Sequence, residues 1–332
     1  MNPKMKQKIL EFIQQNYKYT QYDSFNYHPE ERHVITYLKS HNYPAYLGCY
    51  FDKNDKGTEE IYGTISAHPL NIDLYRKNRT LIKIHKDNTY ENIVYYTENV
   101  CADFNRRNTG ITPTMMSTMI HRVRHTSNVS MISIFKRENT KDVTPFIVPL
   151  VRYPIHVYKI ENWFHKSFEL HATCKLLEVS PQNIHLLYAF LHNNKSKYFD
   201  AYIYPDMTNV IELLKNESIF ITMVMMGDEI CSIYFFKDGA TSYNGKTTIE
   251  CIGSINVNQT MQFFVQGFYV SLETLVKKHK FQVLHMENLS HNVKLTKLIM
   301  RMNTPFIENE SSWFFYNFCF REMGPKKVFI LN

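Results

Sequence analysis

Apolar positions near the start of the chain recur every three or four residues, which is the spacing of one helix face. These positions are Met5, Ile9, Phe12, Ile13 and Tyr17. They predict an amphipathic opening helix. A second helix is predicted to begin at Pro29-Glu30-Glu31, because proline and acidic residues favour the first turn of a helix.

Short apolar runs bounded by polar or turn residues then predict strands that alternate with helices. In the first half, strands are expected at 45–51, 60–67, 81–86, 99–104 and 129–135, and the stripe Met115, Met116, Met119, Ile120 and Val123 predicts a helix capped at Thr112-Pro113. In the second half, helices are expected at 181–192 and 261–278, with strands at 219–226, 229–236, 249–257, 281–286, 313–320 and 327–331. The least patterned stretch, 138–166, is interpreted as a seam. The pattern predicts an α+β fold of two halves, each a mixed sheet flanked by helices.

Composition narrows the class of protein. The 332 residues are 44% hydrophobic and 21% charged, so the chain can bury a core and is neither disordered nor fibrous. The net charge is +7, and Lys and Arg are scattered rather than clustered as in a nucleic-acid-binding stripe. A local site for a phosphorylated small molecule fits the same excess, and we expect no nucleic-acid partner.

Cysteine usage and the apolar runs bear on the compartment. The six cysteines form no C-x-x-C pair, which favours free thiols in a reducing compartment. The longest apolar run, 218–226, is too short to span a bilayer, and the N-terminus lacks the apolar stretch of a signal peptide. We therefore expect a cytoplasmic protein without a transmembrane segment.

One segment has the features of a phosphate-binding loop. Arg106-Arg107-Asn108-Thr109-Gly110-Ile111-Thr112 connects a predicted strand to a predicted helix. A glycine in such a turn lets backbone N–H groups approach an anion, the helix N-terminus adds a favourable dipole, and arginines supply charge. The segment is similar to the Arg-x-x-Gly-x-(Gly/Ala) pyrophosphate-binding pattern of the GCN5-related acyltransferase fold, with Thr112 in the last place.

Four other segments resemble N-myristoyltransferases. The first, Gly63-Thr64-Ile65-Ser66-Ala67-His68-Pro69-Leu70-Asn71-Ile72, is similar to the family's Gly-x-Ile-Ser-Ala-x-Pro-x-Asn-Ile. The others are Asn16-Tyr17 with Phe25-Asn26-Tyr27, then Met286-Glu287-Asn288, and the close Tyr316-Asn317-Phe318 with Met323-Gly324-Pro325-Lys326-Lys327-Val328. The resemblance implies two tandem GCN5-related acyltransferase-like halves, of which residues 1–160 hold acyl-CoA and residues 161–332 form most of a peptide groove.

The resemblance also implies a reaction and its residues. An N-terminal glycine amine attacks the thioester of myristoyl-CoA, which is the acyl-donor substrate; no resident cofactor or metal is expected. The partners are acyl-CoA and proteins or peptides that begin with glycine. The implied oxyanion donors are the backbone amides of Asn99 and Val100, and the implied base is the C-terminal carboxylate of Asn332. The implied peptide contacts are Tyr17, Phe25, Tyr27, His156 and Asn288.

Several departures from the family pattern leave alternatives open. Glu98 stands where the family has Asn before the oxyanion pair, and Ile134 and Phe135 stand where a Thr handles the amine. An acidic run after Tyr17 is replaced by residues 18–22, so a preference for basic peptides is lost or changed. The alternatives are an inactivated relative with a binding or structural role, and a related N-acyltransferase that uses another acyl chain.

Two further candidate sites compete with ordinary structural roles. His121 and His125 have the i, i+4 spacing of a metal-binding pair on a helix, but solvated or stacked histidines have the same spacing. Cys101, flanked by Glu98 and Asp103, has the position of a nucleophile, whereas a strand cysteine is ordinarily inert packing.

Overall fold

One mixed sheet runs through the computed structural model of the chain, which describes residues 1–17, 25–84, 92–127, 132–138, 148–164 and 168–332. The strands in these ranges are β1 Phe25–Tyr27, β2 Tyr46–Lys53, β3 Glu59–Tyr75, β4 Leu81–Ile82, β5 Ile93–Ala102, β6 Ser133–Glu138, β7 Pro149–Lys159, β8 Cys174–Glu178, β9 Ala201–Tyr204, β10 Ile219–Met226, β11 Glu229–Tyr243, β12 Lys246–Asn256, β13 Val283–Glu287, β14 Ile307–Tyr316 and β15 Val328–Ile330. The helices are α1 Pro3–Asn16, α2 Glu31–Val34, α3 Ile111–Ser127, α4 Ile184–Tyr198, α5 Met207–Lys215, α6 Met261–His279 and α7 Asn292–Met302.

The strand order of the sheet is β15-β9-β3-β5-β6-β14-β7-β13-β12-β11-β10-β8, and β1 pairs with β11 while β2 and β4 pair with β3. Most neighbours are antiparallel. The pairs β5/β6, β12/β13 and β9/β15 are parallel. Parallel neighbours need a long crossover connection, which is commonly a helix.

Two such crossovers give the fold an internal repeat. Helix α3 connects β5 to β6, and helix α6 connects β12 to β13. This arrangement confirms the α+β class and the tandem organisation. Strands β9 and β15 from the second half extend the sheet beyond β3 of the first half, so both halves contribute to one continuous sheet. The division at residue 160 stays a prediction.

Helix α3 packs closely on β3 and β5. Met115, Met119 and Val123 are buried against the sheet, while Met116 and Ile120 from the same predicted stripe are more exposed. Gly63 on β3 permits this approach, since a Cβ atom there would lie 2.7 Å from the Met115 Sδ atom. The helix begins at Ile111, so the expected cap at Thr112-Pro113 is wrong and both residues lie in its first turn.

Helix α6 is the longest helix of the described ranges, with 19 residues. The Thr260 side chain caps its start by accepting a hydrogen bond from the Phe263 amide, and the helix ends where Lys280 adopts a left-handed conformation. The prediction of 261–278 is thus confirmed. No helix in the described part of the chain is long and apolar enough to cross a membrane.

The seam predicted over 138–166 contains a central strand. β7 lies between β14 and β13, and its residues alternate little because most are buried. Pro149 and Pro154 make this strand hard to predict, since proline cannot donate a ladder hydrogen bond. Several other strands extend beyond their predicted bounds: β5 begins at Ile93, β3 continues to Tyr75, β11 continues to Tyr243 and β14 begins at Ile307. Parts of the strands expected at 81–86 and 129–135 fall outside the described residues.

Candidate active site

The site begins with a gap between β5 and β6. Within the described residues these strands pair at Tyr95↔Ser133 and Tyr96↔Ile134, near the start of each strand. Beyond that point β5 remains paired to β3, whereas Phe135 and the following residues of β6 pair with β14. The two parallel strands therefore diverge, and a wedge-shaped space opens between them.

A β-bulge in β5 lies at the edge of this space. Thr64 of β3 pairs with Cys101 and Ser66 pairs with Glu98, so Ile65 alone opposes the two residues Asn99 and Val100. Asn99 has a φ of 52°, the left-handed region that a bulge residue can adopt. A bulge interrupts the ladder and redirects backbone groups, which is what donors to an oxyanion require.

Side chains of β3 hold the bulge in place. The Thr64 hydroxyl donates to the Asn99 carbonyl oxygen at 3.1 Å. The side-chain amide of Asn99 donates a hydrogen bond to the Ser66 hydroxyl at 3.0 Å. That hydroxyl in turn donates to the backbone carbonyl oxygen of Glu98 at 3.2 Å. Thr64 and Ser66 both belong to the segment 63–72 that resembles the N-myristoyltransferase pattern, so polar residues of that segment fix the bulge.

A cavity of about 650 Å³ occupies the wedge. Residues 96–100 of β5 and 135–138 of β6 line it, together with Thr112, Met116, Met119 and Ile120 of α3. Asn332 also lines it. The apolar residues before Asn332 form β15, which is buried and pairs with β9, as expected for the end of the chain. The structure thus brings Asn99, Val100 and Asn332 to one cavity, and their catalytic roles stay predictions.

Three of the five expected peptide contacts lie in the same cavity. Tyr17, Phe25 and Tyr27 line it, and the rings of Tyr17 and Tyr27 are 4.8 Å apart between centroids. The Phe25 ring meets the edge of Tyr243 on β11, at 5.3 Å. The first half therefore contributes an aromatic wall that continues onto a strand of the second half.

The other two expected contacts lie elsewhere. His156 is buried on β7 and is not among the cavity-lining residues, whereas its neighbours Ile155 and Val157 are. Successive residues of a strand point to opposite faces, so His156 points away from the cavity. Asn288 follows β13, its amide donates to the Pro154 carbonyl oxygen at 3.1 Å, and it does not line the cavity either. The structure does not place these two residues with the other three.

The expected phosphate loop is exposed at the N-terminus of α3. Asn108 and Gly110 have φ values of 64° and 87°, so the loop turns sharply before the helix, and Gly110 suits a conformation that other residues resist. The Thr109 hydroxyl donates to the Arg106 carbonyl oxygen at 2.6 Å. Of residues 106–112, only Thr112 reaches the cavity lining. The loop therefore lies next to the cavity, on the surface.

Both loop arginines contact the protein. The Arg106 guanidinium lies 3.6 Å above the Tyr62 ring centroid and forms a 2.7 Å ion pair with Asp52. The Arg107 guanidinium donates to the Asn16 carbonyl oxygen at 3.0 Å. Their side chains are thus held at the loop.

Two buried charge clusters border the cavity. Glu250 on β12 lies 3.8 Å from Lys237 Nζ and 3.4 Å from His285 Nδ1. Burial raises the pKa of Glu250, but the Lys237 charge and the hydrogen bond with His285 hold it well below the usual range. Lys136 on β6 forms a 2.7 Å ion pair with Glu287. Sequence reasoning quoted Glu287 in the segment Met286-Glu287-Asn288 but missed the other four side chains. They come from separate strands that only the sheet order brings together.

Glu98, a half-buried carboxylate of the cavity, has different surroundings from Glu250. Its Oε1 atom lies 3.5 Å from His68 Nδ1, and burial raises its pKa to about 7 against the lowering effect of Lys237. Burial also lowers the pKa of His68 well below its usual value. His68 stands at the variable position of the Ser-Ala-x-Pro segment, which was the sequence signal that could have marked it.

The two competing candidates gain no support. The rings of His121 and His125 lie 4.2 Å apart, and among the described residues no group of three or more metal-ligating side chains is present. Cys101 is buried, and burial raises its pKa to about 12. Since the thiolate is the nucleophile, a thiol with that pKa is unreactive near neutral pH.

Comparison with known proteins places the fold. In sequence, no family model and no curated protein matches the chain. In structure, the chain matches GCN5-related N-acetyltransferases. A tandem protein of this class from the clavulanic acid biosynthesis pathway has a TM-score of 0.58 and 7% identity, with 95% of each chain covered. One from Anabaena variabilis has a TM-score of 0.51 and 10% identity, with 94% of this chain and 70% of that chain covered.

Closer matches are structures of Saccharomyces cerevisiae N-myristoyltransferase with bound myristoyl-CoA. One has a TM-score of 0.74 and 12% identity, with 100% of this chain and 87% of that chain covered. A second has a TM-score of 0.73 and 12% identity, with 100% and 83% covered. The chain therefore has the tandem acyltransferase fold of N-myristoyltransferase, as the sequence resemblance implied.

Proposed function

We propose that the protein is a divergent N-myristoyltransferase, which moves myristate from myristoyl-CoA to the N-terminal glycine amine of a protein or peptide. The observation that carries this proposal is the shared cavity. It joins the bulge at Asn99 and Val100, the apolar side of α3 and the aromatic wall of Tyr17, Phe25 and Tyr27. An acyl transfer to an amine needs an oxyanion site, a place for the acyl chain and a place for the acceptor, all in contact.

The acyl group would enter between β5 and β6. The thioester oxygen becomes negative as the amine attacks, and backbone N–H groups near the bulge would stabilise that charge. The acyl chain is apolar, and Met116, Met119 and Ile120 of α3 with Ile65 of β3 offer it an apolar surface. Methionine side chains adapt to irregular apolar ligands, which suits a flexible chain.

The CoA phosphates would bind at the loop before α3. The loop is exposed, its backbone turns at Asn108 and Gly110, and it leads directly into the N-terminus of a 17-residue helix. Such a terminus favours anions through its free N–H groups and its dipole. Arg106 and Arg107 add positive charge beside it.

Turnover is the direct test. The protein is mixed with myristoyl-CoA and a peptide that begins with glycine, and the acylated peptide and free CoA are followed by mass and thiol release. We expect product with the glycine peptide and none with the same peptide acetylated at its N-terminus. Comparison of acetyl-, octanoyl- and myristoyl-CoA gives the chain-length preference. Absence of turnover with every acyl-CoA would overturn the proposal, and calorimetry then shows whether acyl-CoA still binds.

A second candidate is a relative that binds without catalysis. The contacts of Arg106 with Asp52 and of Arg107 with the Asn16 carbonyl favour it, because an engaged guanidinium must exchange a partner to bind phosphate. Under this alternative, myristoyl-CoA or the glycine peptide binds in calorimetry but no product forms. The turnover assay separates the two functions.

A further inference from the structure

Glu98 occupies a position suited to proton transfer. It lines the cavity on β5, directly before the bulge residues Asn99 and Val100. The Ser66 hydroxyl holds its carbonyl oxygen at 3.2 Å, so the backbone that carries the side chain is fixed. A group that takes a proton from an attacking amine must lie beside the place where the oxyanion forms, and Glu98 is adjacent in the chain to the residues assigned to that place.

Two other carboxylates that line the cavity, Asp238 and Glu250, are each paired with a cation, Arg32 and Lys237 respectively. Asp238 accepts a 2.7 Å hydrogen bond from the Arg32 guanidinium and lies 3.3 Å from His33 Nε2. Glu250 is flanked by Lys237 and His285. A carboxylate that is held by cations is a weak proton acceptor, because pairing favours its charged form.

Glu98 instead faces an uncharged histidine. His68 is 1% exposed, and burial keeps it neutral near pH 7 by lowering its pKa. Its Nδ1 atom is the polar atom beside Glu98 Oε1, at 3.5 Å. The Tyr96 ring meets His68 edge-on at 5.4 Å, and the His41 ring stacks on it at 5.6 Å, so its orientation is fixed by packing on both sides.

Behind His68, polar groups continue towards the surface. His41 Nδ1 lies 3.8 Å from Asp206 Oδ2, and the same oxygen accepts a 2.8 Å hydrogen bond from the amide of the exposed Asn42. The row Glu98, His68, His41 and Asp206 therefore extends from the cavity to the outside of the protein.

We propose that Glu98, and not the Asn332 α-carboxylate that the resemblance implies, is the proton acceptor for the attacking amine, and that His68 is its positioning residue. This inference rests on the proposed function. One N–H bond of the substrate ammonium breaks and its proton passes to the Glu98 carboxylate. The freed lone pair then bonds to the thioester carbon. The C–S bond breaks with its electron pair on sulfur, and the thiolate takes the second amine proton as the amide forms. Glu98 releases its proton to solvent before the next cycle.

Other titratable groups face this pair. Around Glu98 and His68 they are Tyr17, Tyr27, Tyr37, Tyr96, His41 and Lys237. Burial raises the pKa of Tyr27, Tyr37 and Tyr96 well above 10. These tyrosines stay protonated over the range in which Glu98 ionises. A change in rate near pH 7 that disappears in Glu98→Gln is therefore assigned to Glu98.

The test is a pH profile of kcat/KM for the glycine peptide between pH 5.5 and 9. Wild-type activity is expected to rise with pH through a limb near pH 7. Glu98→Gln keeps the shape of the side chain, and we expect it to lose roughly 100-fold or more in kcat/KM, together with that limb. Acyl-CoA binding by calorimetry is expected to stay within about twofold. Glu178→Gln, an exposed carboxylate paired with Lys278, is the matched control and keeps the wild-type profile.

His68→Leu tests the positioning role. Loss of the Nδ1 group is expected to move the limb to higher pH and to reduce kcat several-fold, while the peptide KM changes little. If the limb near pH 7 persists unchanged in Glu98→Gln, the inference is overturned while the proposed function stands. If the limb does not move in His68→Leu, His68 is not the positioning residue. Absence of turnover by the wild-type protein would overturn both the proposed function and this inference.

Discussion

Lys136 Nζ lies 2.7 Å from Glu287 Oε1, although two strands separate the strands that carry them. The Tyr153 hydroxyl donates to the other oxygen of Glu287 at 3.0 Å, and the Trp313 indole N–H donates to that hydroxyl at 3.0 Å. Burial alone would lower the pKa of Lys136, but Glu287 raises it well above its usual value. The four side chains connect β6, β14, β7 and β13 in the centre of the sheet.

Removal of Lys136 is expected to destabilise the protein strongly. Lys136→Met keeps the aliphatic stem but leaves the Glu287 carboxylate buried without its cation, which costs about 3–5 kcal/mol in the free energy of unfolding. Urea denaturation measures this loss. The matched control is Lys246→Met, which removes an exposed 2.8 Å ion pair with Glu161 and is expected to cost less than about 1 kcal/mol. Equal losses in the two variants would show that the buried pair of Lys136 and Glu287 contributes no more to stability than an exposed ion pair.

The close contact of β3 and α3 gives a second prediction. In Gly63→Ala the new methyl group would lie 2.7 Å from Met115 Sδ and 2.8 Å from Ile111 Cγ2. We expect a loss of about 1–3 kcal/mol from overpacking, measured by urea denaturation. Gly324→Ala has nothing within 4 Å of the new atom and serves as the neutral control. Partial recovery in Gly63→Ala/Met115→Ala would identify the contact as the cause.

Local periodicity predicted much of the fold, because helices such as α1 and α6 bury one face along their own length. It failed for β7, where two prolines and nearly continuous burial remove the alternation of a strand. It also left the order of the strands open. That order is set by pairing between distant segments, such as β14 with β6 and β9 with β3.

The candidate site was likewise predictable only where its residues lie in short local segments of the sequence. The turn at Gly110 lies in the short local segment that predicted it, and the bulge at Asn99, which was not predicted, falls at the residues that the resemblance singled out. Lys237, Glu250 and His285 reach the cavity from three strands of the second half, and nothing local in the sequence sets them apart from other charged residues. His156 does not line the cavity, because successive residues of a strand point to opposite faces and its neighbours Ile155 and Val157 face the cavity instead.

The raised pKa of Glu98 predicts a pH dependence of stability that needs no substrate. Burial raises this pKa from 4.5 to about 7, so the folded protein binds a proton more tightly than the unfolded chain between those values. Stability therefore falls as pH rises from about 4.5 to 7 and levels off above it. Relative to Glu98→Gln, the wild type is expected to lose up to about 3 kcal/mol over this range. Urea denaturation of both proteins at pH 5 and pH 8 checks it, and a pH-independent difference would contradict the burial of Glu98.

The phosphate loop predicts a charge-dependent binding defect. Arg107→Ala removes one guanidinium beside the N-terminus of α3, and we expect CoA affinity to fall about 10- to 100-fold, the range for a lost charge-assisted hydrogen bond. Calorimetry at low and high salt measures it, with a weaker salt dependence in the variant. Arg79→Ala, which breaks an ion pair with Asp200 elsewhere on the surface, is the control of equal charge. Equal losses of CoA affinity in the two variants would show that the net charge of the protein, and not the loop before α3, determines binding.

The position of Asn332 gives the last prediction. Asn332 is 7% exposed and lines the cavity with Asn99 and Val100. If its α-carboxylate takes part in the reaction, one glycine appended after Asn332 moves that charge and is expected to abolish turnover. Asn332→Ala without the extension keeps the carboxylate and should retain activity. Thermal unfolding checks that both chains fold. Retained activity in the extended chain would refute the participation of the carboxylate.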